Sequence, residues 1–179
     1  PLEGSVEISG AKNAALPILA ACLLTEEELV IANVPRIRDT EAQIALLADL
    51  GVETEWVEDN TIRLCAKNVK DTTLDEDLSA AIRASFLMAG PLLARFGEVH
   101  MPPPGGDFIG RRRLDAHLDA FRELGARIGG QRMIELNAPP GGLRAAEIFM
   151  DEPSVMGTEN ALMAAALIPG ETTILNAAS

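Results

Sequence analysis

The chain reads as an α/β fold assembled from repeated strand-helix-strand-helix-strand-strand units, with apolar helices inside and sheets outside. Three observations predict it. An Ala- and Leu-rich helical stretch, a turn and a short strand occur three times, and Leu24, Leu93 and Leu167 take equivalent places roughly 70 residues apart. An amphipathic helix that stops at a glycine, then two short alternating segments around a tight turn, follow the first two occurrences. The recurring helices carry few polar residues, the pattern of a helix buried all round.

The elements follow in order. Residues 13–34 supply the first helix, acidic residues and a strand at 29–34. Residues 39–50 form an amphipathic helix with Ile44, Leu46, Leu47 and Leu50 on one side, closed by Gly51 in the manner of a glycine C-cap. Residues 52–57 and 61–66 alternate around Glu58-Asp59-Asn60 as a hairpin. The second occurrence has a helix from Arg83 to Leu93, a turn at Phe96-Gly97 and a strand at 98–101. Its amphipathic helix, 113–124, aligns Leu114, His117, Leu118, Phe121 and Leu124 and ends at Gly125; the hairpin 126–129 and 133–137 turns at Gly130-Gln131-Arg132. The third occurrence opens at 146–150 and runs through an apolar helix at 161–167, a turn at Pro169-Gly170 and a strand at 172–176. Two units thus read as complete (about 1–70 and 71–142) and the third, 143–179, as lacking its second helix and hairpin, which should expose apolar sheet surface. With Pro1 in place of an initiating methionine, the expectation is a fragment of a longer protein.

Composition narrows the partners. A chain of 179 residues suffices for one domain with a real core, and with aromatics at 3% that core is made of Leu, Ile, Val, Ala and Met. A net charge of −12 argues against nucleic acid as a partner and against long-range attraction of anions, so any anion site must be local. Cys22 and Cys65 lie in apolar patterns without metal-ligand spacing and read as core thiols of a reduced, cytoplasmic protein. No run approaches the roughly 20 apolar residues of a membrane span, and no signal peptide is visible.

The segment with most chemistry is Pro102-Pro103-Pro104-Gly105-Gly106-Asp107-Phe108-Ile109-Gly110-Arg111-Arg112-Arg113. Glycines let backbone approach a ligand closely, and arginines recognise phosphate and carboxylate in bidentate fashion. One carboxylate among anion binders suggests proton transfer to a negatively charged substrate; a surface loop with a basic patch is the alternative. Lys12, after Gly10-Ala11, stands where a strand meets a helix start, a place that favours anions. Arg83 interrupts an apolar run and needs a partner, either Asp75 or Asp77 or an anionic ligand. Asp39 reads as an N-cap for a helix starting at Thr40.

These motifs carry a resemblance. Ser9-Gly10-Ala11-Lys12-Asn13-Ala14-Ala15-Leu16-Pro17 resembles the opening motif of the UDP-N-acetylglucosamine 1-carboxyvinyltransferase family, and Pro104-Gly105-Gly106-Asp107-Phe108-Ile109-Gly110 resembles its catalytic loop. Residues 151–160 and 172–178 resemble later motifs of the family, so the resemblance covers essentially the whole chain. It implies the enolpyruvyl transferase fold: an inverse α/β barrel-like domain of three units, inward-packed helices and outer sheets. Two such domains flank the active cleft. This chain would be most of one, and the second domain, which supplies the general base and several arginines, is absent.

The resemblance also implies roles. Lys12 contacts phosphoenolpyruvate, Asn13 the sugar nucleotide, and Arg83 an anion near the cleft. Arg112 holds phosphate or carboxylate oxygens, Asp115 contacts the uracil and ribose end, and Ser154 and Val155 line the nucleotide site. Arg113 is a further candidate for substrate binding, and Asp39 and His117 are candidates near the cleft, although His117 also reads as a core-edge histidine. Asp107 occupies the position of the general acid, where most members carry cysteine and some aspartate. Other departures are Arg113 for proline, Met156 for glycine and Leu87 for tryptophan. The implied reaction transfers the enolpyruvyl group of phosphoenolpyruvate to the 3-hydroxyl of UDP-N-acetylglucosamine with release of phosphate, with no metal or organic cofactor. Shikimate 3-phosphate as acceptor, and a non-catalytic repeat protein that binds nucleotide sugars, are the competing readings.

Overall fold

A computed structural model describes residues 3–106 and 113–178. The first helix, α1 (Lys12–Ala21), runs into a 3-10 turn (Cys22–Leu24) and leads to β1 (Glu28–Ile31), α2 (Arg38–Asp49) and the hairpin β2 (Glu53–Glu58) and β3 (Thr61–Cys65). Then come α3 (Glu76–Ala81), a 3-10 segment (Arg83–Met88), α4 (Ala89–Phe96), β4 (Glu98–Met101), α5 (Asp115–Glu123) and the hairpin β5 (Arg127–Gly129) and β6 (Ile134–Asn137). The last elements are β7 (Glu147–Phe149), α6 (Val155–Ala165) and β8 (Thr173–Leu175). The expected order of helix, strand, helix and hairpin therefore occurs twice.

The sheets lie in the order β1-β3-β2, β4-β6-β5 and β7-β8. The first two are antiparallel, with Leu29 opposite Leu64 and Val99 opposite Leu136; β7 and β8 run parallel, with Ile148 opposite Ile174. Alternation sorts the faces. Ile62 and Leu64 of β3 are fully buried, while Arg63 between them faces outward and bridges Glu28 on one neighbouring strand and Glu55 on the other. The first sheet thus turns its apolar side to the helices and an ionic ladder to water.

Three expectations change. The strand that should open each unit is short or missing: residues 3–9 form no strand, the second unit has only a parallel bridge between Thr73 and His100, and the third has β7. The helix expected from Arg83 to Leu93 is 3-10 as far as Met88 and α-helical only from Ala89. Burial all round holds for residues 84–93 alone, because Ile18 of α1 is 49% exposed and Leu162 of α6 is 56% exposed. Residues 84–93 pack against α1, α2 and α6, whereas α1 and α6, which also touch each other, each keep one face outward.

Two polar devices hold the core in register. The Arg95 guanidinium, nearly buried at the end of α4, donates to the carbonyls of Leu23 (3.1 Å) and Thr25 (3.2 Å), where the first helix ends, and of Ala66 (2.9 Å), just after β3. Asn160 of α6, fully buried, uses its whole amide. Its NH2 donates to Phe86 O (2.8 Å) and His117 Nδ1 (2.9 Å), and its Oδ1 accepts from Gly90 N–H (2.9 Å). Gly90 is required there: a Cβ would lie 2.5 Å from Asn160 O. His117 is therefore a buried core residue held as a neutral acceptor, its ring edge-on to Phe86 at 4.9 Å. Burial, with Arg83 nearby, pushes its pKa down to about 4.

Two outcomes follow for stability. Asn160→Ala leaves a donor, a carbonyl and an imidazole nitrogen unpaired in the core, and should lower the unfolding free energy in urea by about 3 kcal/mol; a loss below about 0.5 kcal/mol would remove Asn160 from this role. For His117, the unfolded chain has the higher pKa and binds the proton first. Its contribution is complete above pH 6.5 and is lost as pH falls toward 4, by about 3 kcal/mol in total. Unfolding free energies at pH 7 and pH 4 for the wild type and His117→Gln check this: the variant should lose that part of the acid dependence, and an unchanged dependence would contradict it.

Candidate active site

A cleft of about 460 Å³ opens where α1, α2 and the 3-10 segment after α3 converge, lined by Lys12, Asn13, Arg38, Asp39, Arg83, Gly106 and Met156 among others. Four of the expected site residues, Lys12, Asn13, Asp39 and Arg83, thus meet although they are far apart in sequence. Among the described residues three cations face one carboxylate, so this lining is locally cationic on a chain of net charge −12. Lys12 is the first residue of α1, and its Nζ donates to Asp39 Oδ2 at 2.8 Å. Both side chains remain more than a third exposed, so the pair is worth at most about 1 kcal/mol and leaves Lys12 able to exchange Asp39 for a ligand anion.

Asp39 is not the N-cap of α2. The helix starts at Arg38 with Ile37 as its cap residue, and Thr40 Oγ1 accepts from Ile37 N–H (3.3 Å) while donating to Pro35 O (2.5 Å). Asp39 sits in the first turn, where the helix dipole favours a carboxylate, and this leaves its side chain free to meet Lys12. Asp75 is not the partner of Arg83 either. It caps α3, accepting from Leu78 N–H at 2.9 Å. Arg83 instead donates from Nη2 to the carbonyl of Arg113 at 3.0 Å.

That contact matters for the glycine-rich loop. Asp107, Arg111 and Arg112 lie outside the described residues, but both flanks of the loop are fixed. Gly105 N–H donates to Ser79 O and Gly106 N–H to Ala80 O, each at 3.2 Å, and a Cβ on Gly105 would fall 1.8 Å from Ala80 O. On the far flank Arg83 holds Arg113 O. Both ends of the segment carrying Asp107 are therefore tied to residues 79–83, on the wall of the cleft.

Arg113 and Asp115 line a second depression, of about 190 Å³, with Phe149, Asp151 and Glu152. They form a bidentate pair, Arg113 Nε to Asp115 Oδ2 at 2.8 Å and Nη2 to Oδ1 at 3.0 Å. The guanidinium holds the Asp115 carboxyl below the usual carboxylate range. Ser154 caps α6, accepting from Gly157 N–H at 3.1 Å, and Val155 is half exposed beside it. Met156 reaches the main cleft, whereas Leu87 is buried in the core and touches neither depression.

Sequence reasoning missed Arg38. Arg36 and Arg38 flank Ile37 alike, yet Arg36 turns away to Glu41 (3.2 Å) and stacks over Trp56 at 4.5 Å, while Arg38 lines the cleft. The only available signal was its place beside Asp39 in the first turn of α2. Neither cysteine lines the cleft; Cys22 is buried, which pushes its thiol up to about 12, and Cys65 donates to Glu26 O.

The sequence profile of the EPSP synthase (3-phosphoshikimate 1-carboxyvinyltransferase) family matches residues 1–179. The chain is 53% identical over 99% of its length to the UDP-N-acetylglucosamine 1-carboxyvinyltransferase of Bradyrhizobium diazoefficiens, of which it covers 41%. It is 48% identical over its whole length to the protein of the same name from Treponema denticola, of which it covers 42%. The chain thus spans about two fifths of the length of the curated relatives it matches. In fold it resembles the enolpyruvyl transferase NikO of Streptomyces tendae, with a TM-score of 0.81 and 22% identity over 97% of this chain and 40% of that one. EPSP synthase of Acinetobacter baumannii follows, at a TM-score of 0.73 and 17% identity over 96% of this chain and 40% of that one. The repeated fold, the cationic cleft beside a tethered glycine-rich loop and a profile match along the whole chain place this protein in the EPSP synthase family of enolpyruvyl transferases.

Proposed function

We propose that the chain forms part of an enzyme that transfers the enolpyruvyl group of phosphoenolpyruvate to the 3-hydroxyl of UDP-N-acetylglucosamine, an early step of peptidoglycan synthesis. The observation that carries the proposal is the convergence of Lys12, Asn13 and Arg83 on one cleft at the foot of the loop that holds Asp107. Identity near one half to transferases of that name supports the choice of acceptor over shikimate 3-phosphate. No metal or organic cofactor has a part in the scheme.

Phosphoenolpyruvate presents a phosphate and a carboxylate, and the cleft offers Lys12, Arg38 and Arg83 to meet them. In the forward step C3 of phosphoenolpyruvate gains a proton, the sugar oxygen adds at C2, and the hydroxyl proton passes to a base. The tetrahedral adduct then expels inorganic phosphate as C3 gives up a proton. Asp107 is the acid in this scheme and Arg112 a phosphate contact. Asn13, Arg113, Asp115, Ser154 and Val155 serve the sugar nucleotide. Catalysis is then mainly orientation and electrostatic stabilisation. The general base and further arginines come from polypeptide outside this chain, so the 179 residues alone should release no phosphate; turnover by the isolated chain would contradict the scheme.

Two outcomes test the roles in the full-length enzyme. Lys12→Ala should cut kcat/KM for phosphoenolpyruvate by about a hundredfold or more while leaving stability within about 0.5 kcal/mol, because the ion pair with Asp39 is exposed. Unchanged kinetics would remove Lys12 from the site. Asp107 is a poor nucleophile toward an epoxide such as fosfomycin, whereas a thiolate is a good one. The enzyme should resist the compound and Asp107→Cys should acquire time-dependent inactivation; covalent inactivation of the wild type through Asp107 would contradict this.

A further inference from the structure

Among the described residues, Gln43 Oε1, Gln43 Nε2 and Ser79 Oγ are buried side-chain atoms without a hydrogen-bond partner. Both residues are fully buried. An amide taken out of water with neither end paired carries a large desolvation cost. Gln43 lies in the buried stripe of α2 with Thr40 and Leu47, and Ser79 is the buried residue of α3. In turn α3 packs on α2 and on the 3-10 segment that follows it. The polar groups therefore belong to one seam. A direct bond between them leaves the other end of the amide unmet. A water that donates to Oε1, accepts from Nε2 and meets Ser79 Oγ satisfies all three atoms.

The main chain of Ser79 is also a junction. Its carbonyl accepts from Gly105 N–H (3.2 Å) and from Ser85 Oγ (3.3 Å), and the next carbonyl, Ala80 O, accepts from Gly106 N–H (3.2 Å). On α2, Gln43 follows Asp39 by one turn on the same side. The seam thus joins the helix that carries Arg38 and Asp39 to the cleft with the foot of the glycine-rich loop. We infer that one buried water, held by the Gln43 amide and the Ser79 hydroxyl, locks α3 to α2, and that Gln43 and Ser79 are positioning residues for the loop. Without this lock α3 shifts against α2, and the Gly105 and Gly106 bonds loosen. Asp107 then loses its aim, while Lys12 and Arg38 stay in place on α1 and α2. The kinetic consequence rests on the proposed enolpyruvyl transfer; the lock does not.

A crystal structure of the full-length enzyme should show a solvent peak within about 3.2 Å of Ser79 Oγ and of the Gln43 amide. An empty seam, or a direct Gln43–Ser79 bond in its place, would overturn the inference. In the same enzyme, Ser79→Ala and Gln43→Leu should each speed hydrogen exchange at the Gly105 and Gly106 amides at least about tenfold. Each should lower kcat about tenfold or more, with KM for phosphoenolpyruvate held within about twofold. A lower Tm with exchange and kinetics unchanged would make both residues merely structural and overturn the positioning role. Faster exchange at both glycines, in an enzyme whose wild type releases no phosphate, would support the lock and count against the transfer reading instead.

Discussion

One buried amide holds this fold together. Asn160 binds the backbone of the 3-10 segment through Phe86 O, the first turn of α4 through Gly90 N–H, and α5 through His117. An Asn side chain so placed is fully satisfied, and in a dry core each bond is costly to lose. It also sets distances: the approach of α6 to α4 is close enough that only glycine fits at position 90. The same contact turns His117 from a titratable candidate into a neutral packing residue, and places α5, whose first residue is Asp115, against α6, whose cap is Ser154. The face of α5 carrying Asp115, Ala116 and Asp119 forms one wall of the second depression.

The cleft rests on a different economy. Net charge is strongly negative, so positive potential in the cleft has to come from local placement of cations. Lys12 at a helix start, Arg38 in the first turn of α2 and Arg83 at the head of the 3-10 segment supply that local charge. Asp39 keeps Lys12 positioned without burying it, and Arg83 is spent partly on the carbonyl of Arg113. The cationic lining of the cleft and the anchoring of the loop's far flank thus share Arg83.

Much of this was legible in the sequence because it depends on local patterning. Gly51, Gly97 and Gly125 end helices with positive φ where the sequence placed helix stops, and both hairpins fall where alternation resumed. The signatures of Lys12, Asn13 and Arg83 survived as a cluster. What failed depends on neighbours. Ile18 and Leu162 are as apolar as Leu19 and Met88, and only the packing of neighbouring helices decides which are covered. Asp39 satisfied a capping pattern that Thr40, one residue later, fulfils with its own hydroxyl. Arg36 and Arg38 were indistinguishable until Trp56 and Glu41 claimed one of them.

The central claim is that the cleft and its tethered loop serve enolpyruvyl transfer to a sugar nucleotide. Phosphate release from phosphoenolpyruvate by the full-length enzyme, with UDP-N-acetylglucosamine and with shikimate 3-phosphate as separate acceptors, tests it most directly. Release with the sugar nucleotide alone, abolished by Asp107→Ala, is the predicted result. Release with the shikimate acceptor, or with neither, would contradict it.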